Sequence, residues 1–425
     1  MREQSLLLSG IRVLDIATFV AGPAAATIMG DFGAEVIKVE APGEGDPHRA
    51  LGQLSSIPQH HVNFCWHMDS RNKKSIALDL KRPEGRAVLL RLIEKSDVLV
   101  TNFPPGVRER LGLRYEDVGP VNPRLIYASL TGYGEHGPDA GQPGFDSTAY
   151  FARSGLIDAL TYEDAPPAFS VPAQGDHATA MALFGAIMMA LYQRERTGKG
   201  GMVSTSLMAA GLWSNAMYVQ AHLCGAAVRQ RPPREQALNA LGNMYRCGDD
   251  RWFILAALSE ERQWPGLVRA FGRPDLAEDA RFATLEARRK HVHGLVAELD
   301  QIFATRPWAE WRERLDAEGI TFGGIAKLED LVGDRQMLET GALTPLADPD
   351  AGAVLTVNSP VFYDGVAKVA PGRAPRIGEH TDEVLRTCGY GEAEIEALRR
   401  AGVVAGSSAA HAGSALEARP APDGS

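Results

Sequence analysis

The sequence contains few cysteines, and they form no recognisable pattern. Cys65, Cys224, Cys247 and Cys388 are the four among 425 residues, and no two of them make a CxxC pair. Zinc sites and disulfide frameworks both need cysteines at defined spacings. The sequence therefore predicts neither, and isolated thiols of this kind are typical of a protein from a reducing compartment.

Long apolar runs and basic clusters are also missing. No run reaches the roughly 18 apolar residues that a membrane span needs, and the opening stretch MREQSLLLSGIRVLDIA has no secretory cleavage site. Lys and Arg number 44 against 53 Asp and Glu, which gives a net charge of −9, and no basic stretch alternates with aromatic residues. We therefore expect a soluble, cytoplasmic protein that binds neither a membrane nor nucleic acid.

Several familiar catalytic motifs are absent as well. The sequence has no G-x-S-x-G elbow, Walker loop or H-E-x-x-H helix, so hydrolases, kinases and zinc proteases lose their usual support. The run AGPAAA lacks the glycines of a dinucleotide site, and Glu40 is interpreted as a solvated strand end rather than a ribose ligand. The histidines of HHVNFCWHMD match no metal-ligand spacing, and no metal site is predicted.

What the sequence does contain is an alternation of strand and helix patterns. IRVLDIATFV and AEVIKVE are typical of buried strands, and the segment between them has Pro23 near a helix start and Gly33 near its end. Further strands are predicted in KKSIALDLK, SDVLVTNF and PRLIYASLTGYG, which indicates an α/β fold with a mostly parallel sheet.

The chain exceeds what one core normally holds, so two domains are expected. RQRPPREQ marks a linker before a hairpin with its turn at residues 248–250, and the low-complexity end of the chain, 405–425, is predicted to be disordered.

One acidic residue, Asp176, stands between a glycine and the apolar helical pattern of QGDHATAMALFGAIMMALYQRERT. Helical spacing begins at Ala178, and Asp is a favoured N-cap because its carboxylate accepts bonds from first-turn amides. Asp176 also follows long loops rich in Gly and Pro, which commonly carry functional groups. A carboxylate kept ionised by the positive end of a helix could act as a nucleophile. These observations leave both roles open, and His177 is interpreted as a surface or hydrogen-bonded histidine.

Seven separated stretches resemble the class III CoA-transferase family, also called the CaiB/BaiF family. They cover most of residues 8–404 and are, in order, LSGIRVLDIATFVAGPAAATIMGDFGAEVIKVEAPGEGD, RNKKSIALDLKRPEG, SDVLVTNFPPGVRERLGL, NPRLIYASLTGYGEHGP, GFDSTAYFARSGL, GDHATAMALFGAIMMALYQRERTGKG and GEHTDEVL. The resemblance implies a Rossmann-like large domain built from both chain ends, an inserted smaller α+β domain and an interlocked homodimer. The implied boundaries are 1–205 for the first part of the large domain, 206–235 for a linker helix and connection, 236–325 for the small domain and 326–404 for the return.

The resemblance also implies roles for particular residues. Asp176 matches the family's nucleophile. Eight positions match its CoA-binding residues, namely Phe19, Val20, Ala21, Asn72, Lys74, Asn102, Phe103 and Arg110. Three positions are expected in the substrate pocket, namely Phe145, Tyr133 and Gly242. Val20 and Ala41 replace a Gln and an Arg of one family member, and ALNALGNMY replaces its glycine-rich lid.

The implied reaction transfers CoA from an acyl-CoA donor to a carboxylic acid acceptor. It would pass through an acyl-aspartyl anhydride and an aspartyl-CoA thioester on Asp176, with coenzyme A as a substrate and no permanently bound cofactor. Three alternatives stay open. A racemase of the same superfamily needs two bases flanking an α-carbon, and Phe145 stands where those racemases have a histidine. An intramolecular CoA shift uses the same Asp176, and a CoA-binding protein without turnover needs no nucleophile.

Overall fold

The computed structural model describes residues 6–347 and 353–406. Its strands are β1 Arg12–Asp15, β2 Glu35–Glu40, β3 Lys74–Leu78, β4 Val98–Thr101, β5 Ile126–Thr131, β6 Gly201–Ser206, β7 Gly242–Arg246, β8 Trp252–Ala256, β9 Phe322–Gly324, β10 Leu343–Pro345, β11 Leu355–Val357 and β12 Val404–Ala405. Its α-helices are α1 Ala21–Asp31, α2 Phe64–Ser70, α3 Pro83–Glu94, α4 Pro105–Leu111, α5 Tyr115–Val118, α6 Leu156–Leu160, α7 Gln174–Thr197, α8 Leu207–Ser214, α9 Ala216–Leu223, α10 Glu260–Phe271, α11 Asp275–Glu278, α12 Leu285–Lys290, α13 Val292–Phe303, α14 Trp308–Ala317, α15 Leu328–Leu331, α16 Arg335–Glu339, α17 Thr381–Thr387 and α18 Glu392–Arg400. The 3₁₀ turns Pro47–Gln53 and Arg234–Gln236 and the π-helical turn Asp146–Ala152 complete the elements.

The larger of two compact units is built around one seven-stranded sheet. This unit comprises Met1–Leu156, Phe169–Val219 and Gln336–Ser425. The strand order is β12-β3-β2-β1-β4-β5-β6, and every pair is parallel except β12 with β3. The predicted α/β class with a mostly parallel sheet is confirmed. The order reverses between β1 and β4, and ligands of open α/β sheets bind at such a point, beyond the carboxyl ends of the strands.

The strands of this sheet and the helix α1 that packs beside them are buried, and small residues allow this close packing. The strands β1, β4 and β5 are almost wholly buried, as expected for parallel strands covered on both faces. Helix α1 is buried along its whole length. A Cβ at Gly22 would lie 2.5 Å from the Cβ of Ala17, so the helix can approach the β1 loop only with glycine there. The helix ends as predicted, because Gly33 just beyond it has a φ of +96°, a conformation that favours glycine.

The smaller unit comprises Ile157–Ala168 and Gln220–Arg335. It contains the three-stranded antiparallel sheet β7-β8-β9, and the predicted hairpin is confirmed as β7 and β8. Its core is aromatic, with Tyr245, Phe253, Phe303 and Trp311 fully buried against helices α10, α13 and α14. The domain boundaries at 205, 235, 325 and 404 stay predictions.

Two expectations from the sequence need correction. Glu40 is not a solvated strand end, because it is only 4% exposed and its carboxylate accepts hydrogen bonds from Arg49 at 2.7 and 2.8 Å and from Ser75 at 2.7 Å. The predicted disordered tail cannot begin at Ala405, because Ala405 belongs to β12 and pairs with Ala77 of β3. Residues 407–425 lie outside the described residues. Within the described part of the chain, none of the helices combines the length and apolar character needed to cross a membrane.

Candidate active site

Two loops meet where the strand order reverses. Asn102 follows β4, and its side chain binds the backbone of Thr18 beyond β1 twice. Its Oδ1 accepts the Thr18 N–H at 2.9 Å, and its Nδ2 donates to the Thr18 carbonyl at 2.7 Å. The amide of Asn102 is therefore used to join the two loops, and their backbones form one rigid edge of the crevice.

Phe19, the next residue, is held in an unusual conformation by a buried ion pair. Its φ of +63° is unfavourable for a residue with a Cβ, at a cost of about 1–2 kcal/mol. The Phe19 N–H donates to Asp46 Oδ1 at 3.0 Å, and Asp46 Oδ2 lies 2.7 Å from Lys38 Nζ. Burial raises the pKa of Asp46, but the charge and hydrogen bond of Lys38 and the N–H groups of His48 and Phe19 together outweigh it and hold that pKa below its usual range.

Asp46 and Lys38 were not predicted from the sequence. The available signal was GEGDPH, because an Asp directly before Pro47 is typical of a capped helix start. Asp46 does cap this 3₁₀ turn by accepting the His48 N–H at 2.9 Å. Its second role, fixing Phe19, depends on a contact between residues 27 positions apart that no local pattern reveals.

The prediction that Asp176 could be the N-cap of its helix is wrong. Helix α7 begins at Gln174, before the predicted start, and Asp176 lies inside its first turn. The capping carboxylate is Asp146, whose Oδ1 accepts the Gly175 N–H at 2.8 Å. A Cβ at Gly175 would lie 2.3 Å from the ring of Tyr150 and 2.4 Å from Asp146 Oδ1. Glycine before Asp176 is therefore what lets Asp146 approach the helix end.

Asp176 is partly buried beside this second carboxylate. Its pKa is raised to about 7, first by burial and then by the negative charge of Asp146, while His177 lowers it and Asp69 raises it. Burial also raises the pKa of Asp146. The expectation that the helix terminus keeps Asp176 ionised is thus corrected, because burial and Asp146 favour its protonated form. An ionised Asp176 is then a more basic, and so more nucleophilic, carboxylate than usual.

His177 is held by a carboxylate from another helix. Its Nε2 lies 3.0 Å from Asp69 Oδ1, and the second oxygen of Asp69 lies 3.7 Å from Nε2 of the buried His48. Burial opposes a charge on His177, but the hydrogen bond and charge of Asp69, together with the charges of Asp176 and Asp146, outweigh it and raise the pKa of the imidazole. The interpretation of His177 as a hydrogen-bonded histidine is confirmed.

A cavity of about 260 Å³ lies against His177 and Asp69. Helices α1, α2 and α7 and the segment after β11 form its walls. The walls are mostly apolar, and the lining residues are Ala24, Thr27, Ile28, Met68, Asp69, Arg71, His177, Ala180, Met181, Val357, Asn358, Ser359 and Pro360.

Several predicted residues lie around Phe145 and Asp146, beside the amino end of α7. Phe145 is 53% exposed, and its ring packs edge to face on Phe19 with 5.7 Å between centroids. Val20 and Ala21 are buried at the start of α1, and Tyr133 is half-buried beside Gly144. The structure therefore brings a predicted CoA-binding residue, Phe19, together with a predicted pocket residue, Phe145, next to the Asp146 that caps the Asp176 helix.

The remaining predicted residues belong to other elements. Asn72 and Lys74 are at the amino end of β3, where Asn72 binds the backbone of residues 370–372 and the Lys74 ammonium lies 2.7 Å from Glu35 and 2.6 Å from Glu383. Phe103 packs on the core below the sheet edge. Arg110 is exposed in α4, and Gly242 begins β7 in the smaller unit.

The inward-facing arginine of α4 is Arg108. Its guanidinium lies 2.6 Å from Glu135 and 3.3 Å from the Ser129 hydroxyl, at the carboxyl half of β5. In the part of the chain that the structure describes, no group of three or more His, Cys, Asp or Glu residues is arranged to hold a metal ion.

Comparison with known proteins identifies the family. A model described as CoA-transferase family III matches residues 8–381. The chain is 32% identical over 404 residues to the (R)-2-hydroxy-4-methylpentanoate CoA-transferase of Clostridioides difficile, across 94% of this chain and 100% of that protein. It is 32% identical over 406 residues to the cinnamoyl-CoA:phenyllactate CoA-transferase of Clostridium sporogenes, across 94% of this chain and 98% of that protein. A crystal structure of a CaiB/BaiF family protein from Brucella suis is similar at a TM-score of 0.78 and 28% identity, covering 91% of this chain and all of that one.

The chain therefore belongs to CoA-transferase family III, and it is an enzyme of that family.

Proposed function

We propose that the enzyme transfers CoA from an acyl-CoA to a carboxylic acid with Asp176 as the nucleophile. One observation carries this role. Asp146 caps the helix end, so the carboxylate of Asp176 is not needed for that purpose and stands partly buried with a raised pKa. A partly buried carboxyl with a raised pKa is typical of catalytic residues.

The proposed chemistry starts with attack of an Asp176 carboxylate oxygen on the thioester carbonyl of the donor. The C–S bond breaks, CoA leaves as a thiolate, and an acyl-aspartyl anhydride remains. The thiolate then attacks the aspartyl carbonyl, the donor acid leaves as a carboxylate, and an aspartyl-CoA thioester forms.

The second half repeats these steps with the acceptor. The acceptor carboxylate attacks the aspartyl-CoA thioester and releases the thiolate, which attacks the acceptor side of the new anhydride. The acceptor leaves as its CoA thioester, and Asp176 returns to a carboxylate. One thioester is exchanged for another, so the cycle needs no other energy source.

The proposed CoA site follows the rigid edge formed by the β1 and β4 loops. Phe19, Val20 and Ala21 would contact CoA here, and Asn102 holds the loop in place. Asn72, Lys74, Phe103 and Arg110 are proposed as further contacts. Lys74 already faces two carboxylates, so a CoA phosphate would have to compete with Glu35 and Glu383 for its ammonium.

We infer that the acceptor is a 2-hydroxy acid with an apolar side chain. The names of two relatives contain such acids, 2-hydroxy-4-methylpentanoate and phenyllactate. The exposed Phe145 and its partner Phe19 offer an apolar wall next to the Asp176 helix end, which suits this class better than a second carboxylate. Tyr133 and Gly242 are proposed as further pocket residues.

An interlocked homodimer is also proposed. Helices α8 and α9 have large apolar side chains that are exposed to solvent, among them Trp213 at 83% and Met217 at 81% exposure. A second chain covering such a surface would remove it from solvent. Sedimentation of the purified protein tests this proposal, since a monomer at micromolar concentration would contradict it.

Intact-protein mass spectrometry tests the function. The wild type and Asp176→Ala are each incubated with succinyl-CoA, isovaleryl-CoA and cinnamoyl-CoA, and hydroxylamine is added to half of every sample. We expect a hydroxylamine-labile CoA adduct on Asp176 of the wild type and none on the variant. Binding of these compounds without any adduct would favour the CoA-binding alternative, and exchange of the α-proton with deuterium in the absence of acceptor would favour the racemase.

A further inference from the structure

We propose that His177, held against Asp69, is a positioning residue that sets the ionisation of Asp176. The inference deepens the proposed function, since it concerns how that nucleophile is kept reactive. It starts from the shared first turn of α7, in which Asp176 and His177 are consecutive and both partly buried.

The imidazole of His177 is fixed from the other side. Asp69 on α2 binds its Nε2 at 3.0 Å, and the hydroxyl of Thr27 on α1 binds the backbone carbonyl of Asp69 at 2.5 Å. Thus Asp69 connects the three helices, α7 through its carboxylate and α1 through its backbone carbonyl. Because Asp69 is buried, its ionised form needs a nearby cation, and His177 is the partner in direct contact.

The charge on His177 acts on Asp176 in one direction. A cation beside a carboxyl favours the ionised form, which is the form that attacks a thioester. His177 lowers the pKa of Asp176 by more than Asp69 raises it, so the pair as a whole favours ionisation. Without the charge of His177, burial and Asp146 would leave a smaller fraction of Asp176 ionised at neutral pH.

Other charged groups face this pair, and most of them are already matched. Arg71, which lines the same cavity, is bound to Asp31 of α1 at 2.6 Å. Lys368 donates to the carbonyl of Ser359 at 2.6 Å. The titratable groups around the pair include His48, Lys73 and Cys65, which interact with Asp69; Asp31 and Lys368, which lie near Arg71; and Asp146, which lies beside Asp176.

Two variants separate charge from shape. His177→Gln keeps a polar side chain that can donate to Asp69 but carries no charge, whereas His177→Lys keeps a positive charge without the ring. Circular dichroism first establishes that both fold.

The readout is infrared difference spectroscopy of the carboxylic-acid C=O band of Asp176 as a function of pH, with Asp176→Asn used to assign the band. This measurement needs no donor, so it reports on the inference even if the proposed reaction fails. In the wild type we expect a midpoint near 7, the value to which the pKa of Asp176 is raised.

We expect His177→Gln to move the midpoint upward by about half to one pH unit, because the positive charge on the neighbouring residue is lost, and His177→Lys to restore it. The pH dependence of adduct formation should shift in parallel. A midpoint unchanged in His177→Gln would overturn the proposal, as would a shifted midpoint that His177→Lys fails to restore. If the midpoints move as expected but no adduct forms in the wild type, the proposed function fails and the electrostatic role stands.

Discussion

At the scale of single residues, the site depends on which carboxylate caps the amino end of helix α7. A helix start needs an acceptor for its exposed amides, and Asp176 would be well suited to supply one. Asp146, 29 positions before Gly175, supplies it instead. The carboxylate of Asp176 is then left beside a like charge in a partly buried place, which is costly for stability and useful for reactivity.

This cost predicts a pH-dependent effect of Asp176→Asn. The pKa of Asp176 rises from an ordinary value of about 4 to about 7 on folding. Between these values the folded chain binds more protons than the unfolded chain, so the contribution of Asp176 to stability falls as the pH rises. We expect Asp176→Asn to gain about 1–3 kcal/mol in the free energy of unfolding at pH 8 relative to pH 5.

Urea unfolding of both proteins at pH 5 and pH 8 measures this difference. Comparison within each pH cancels the titration of the other carboxylates. Parallel pH dependences of the wild type and the variant would show that Asp176 has an ordinary pKa.

Gly175 gives a second prediction. Gly175→Ala would place a methyl group against Tyr150 and Asp146, so we expect a loss of about 2 kcal/mol or more in the free energy of unfolding together with loss of activity. Gly185→Ala on the same helix is the matched control, because no atom lies within 4 Å of its added Cβ.

The control variant, Gly185→Ala, should gain up to about 1 kcal/mol in the free energy of unfolding, since Ala is a better helix former than Gly. Chemical denaturation of the two variants checks both signs. Equal effects at the two positions would mean that the close approach of Asp146 to the helix end is not required.

At the scale of elements, the important piece is the loop between β1 and α1. Its backbone is fixed by Asn102 on one side and by Asp46 on the other. Asp46 in turn faces Lys38 on β2, and both side chains are fully buried. The conformation of the loop therefore depends on the buried ion pair between Asp46 and Lys38.

Asp46→Asn tests this arrangement. The amide can still accept from Phe19 but leaves the buried Lys38 without its nearest counter-charge, so we expect a loss of about 2–4 kcal/mol in the free energy of unfolding. CoA binding should weaken as well, because a neutral amide is a weaker acceptor for the Phe19 N–H than a carboxylate and holds the positive φ of Phe19 less firmly.

The comparison is Asp275→Asn, which breaks an exposed pair with Arg273 at 2.6 Å. Exposed pairs contribute little, so this variant should unfold almost as the wild type does. Guanidinium unfolding and calorimetric titration with CoA give the two readouts. A larger loss at Asp275 than at Asp46 would contradict the buried pair's role.

At the scale of the whole molecule, both ends of the chain build the main sheet. Strand β12 pairs antiparallel with β3 through Val404 and Leu78, and Val403 and Val404 are 0% and 2% exposed. The end of the chain thus covers an edge of a sheet whose other six strands come from the first half of the sequence.

Truncation tests this closure. A chain ending at Gly402 loses two buried valines and the β12 pairing, which should cost about 3–5 kcal/mol. The reference is a chain ending at Gly406, which retains both. Thermal unfolding of the two should differ by several degrees, and identical melting temperatures would show that β12 adds nothing to the sheet.

The sequence by itself determined the class of fold and the position of the candidate nucleophile. Runs such as AEVIKVE and PRLIYASLTGYG predict strands because apolar, β-branched patterns are local, and the stretches around Asp176 were specific enough to indicate the family. Tertiary structure alone decided how the site is made. The cap from Asp146, the clamp of Asn102 on Thr18, the support of Phe19 by Asp46 and the contact of Asp69 with His177 join residues 27 to 108 positions apart. Burial and like charge then set the pKa of Asp176, and both depend on which distant groups the fold brings together, which no local pattern encodes.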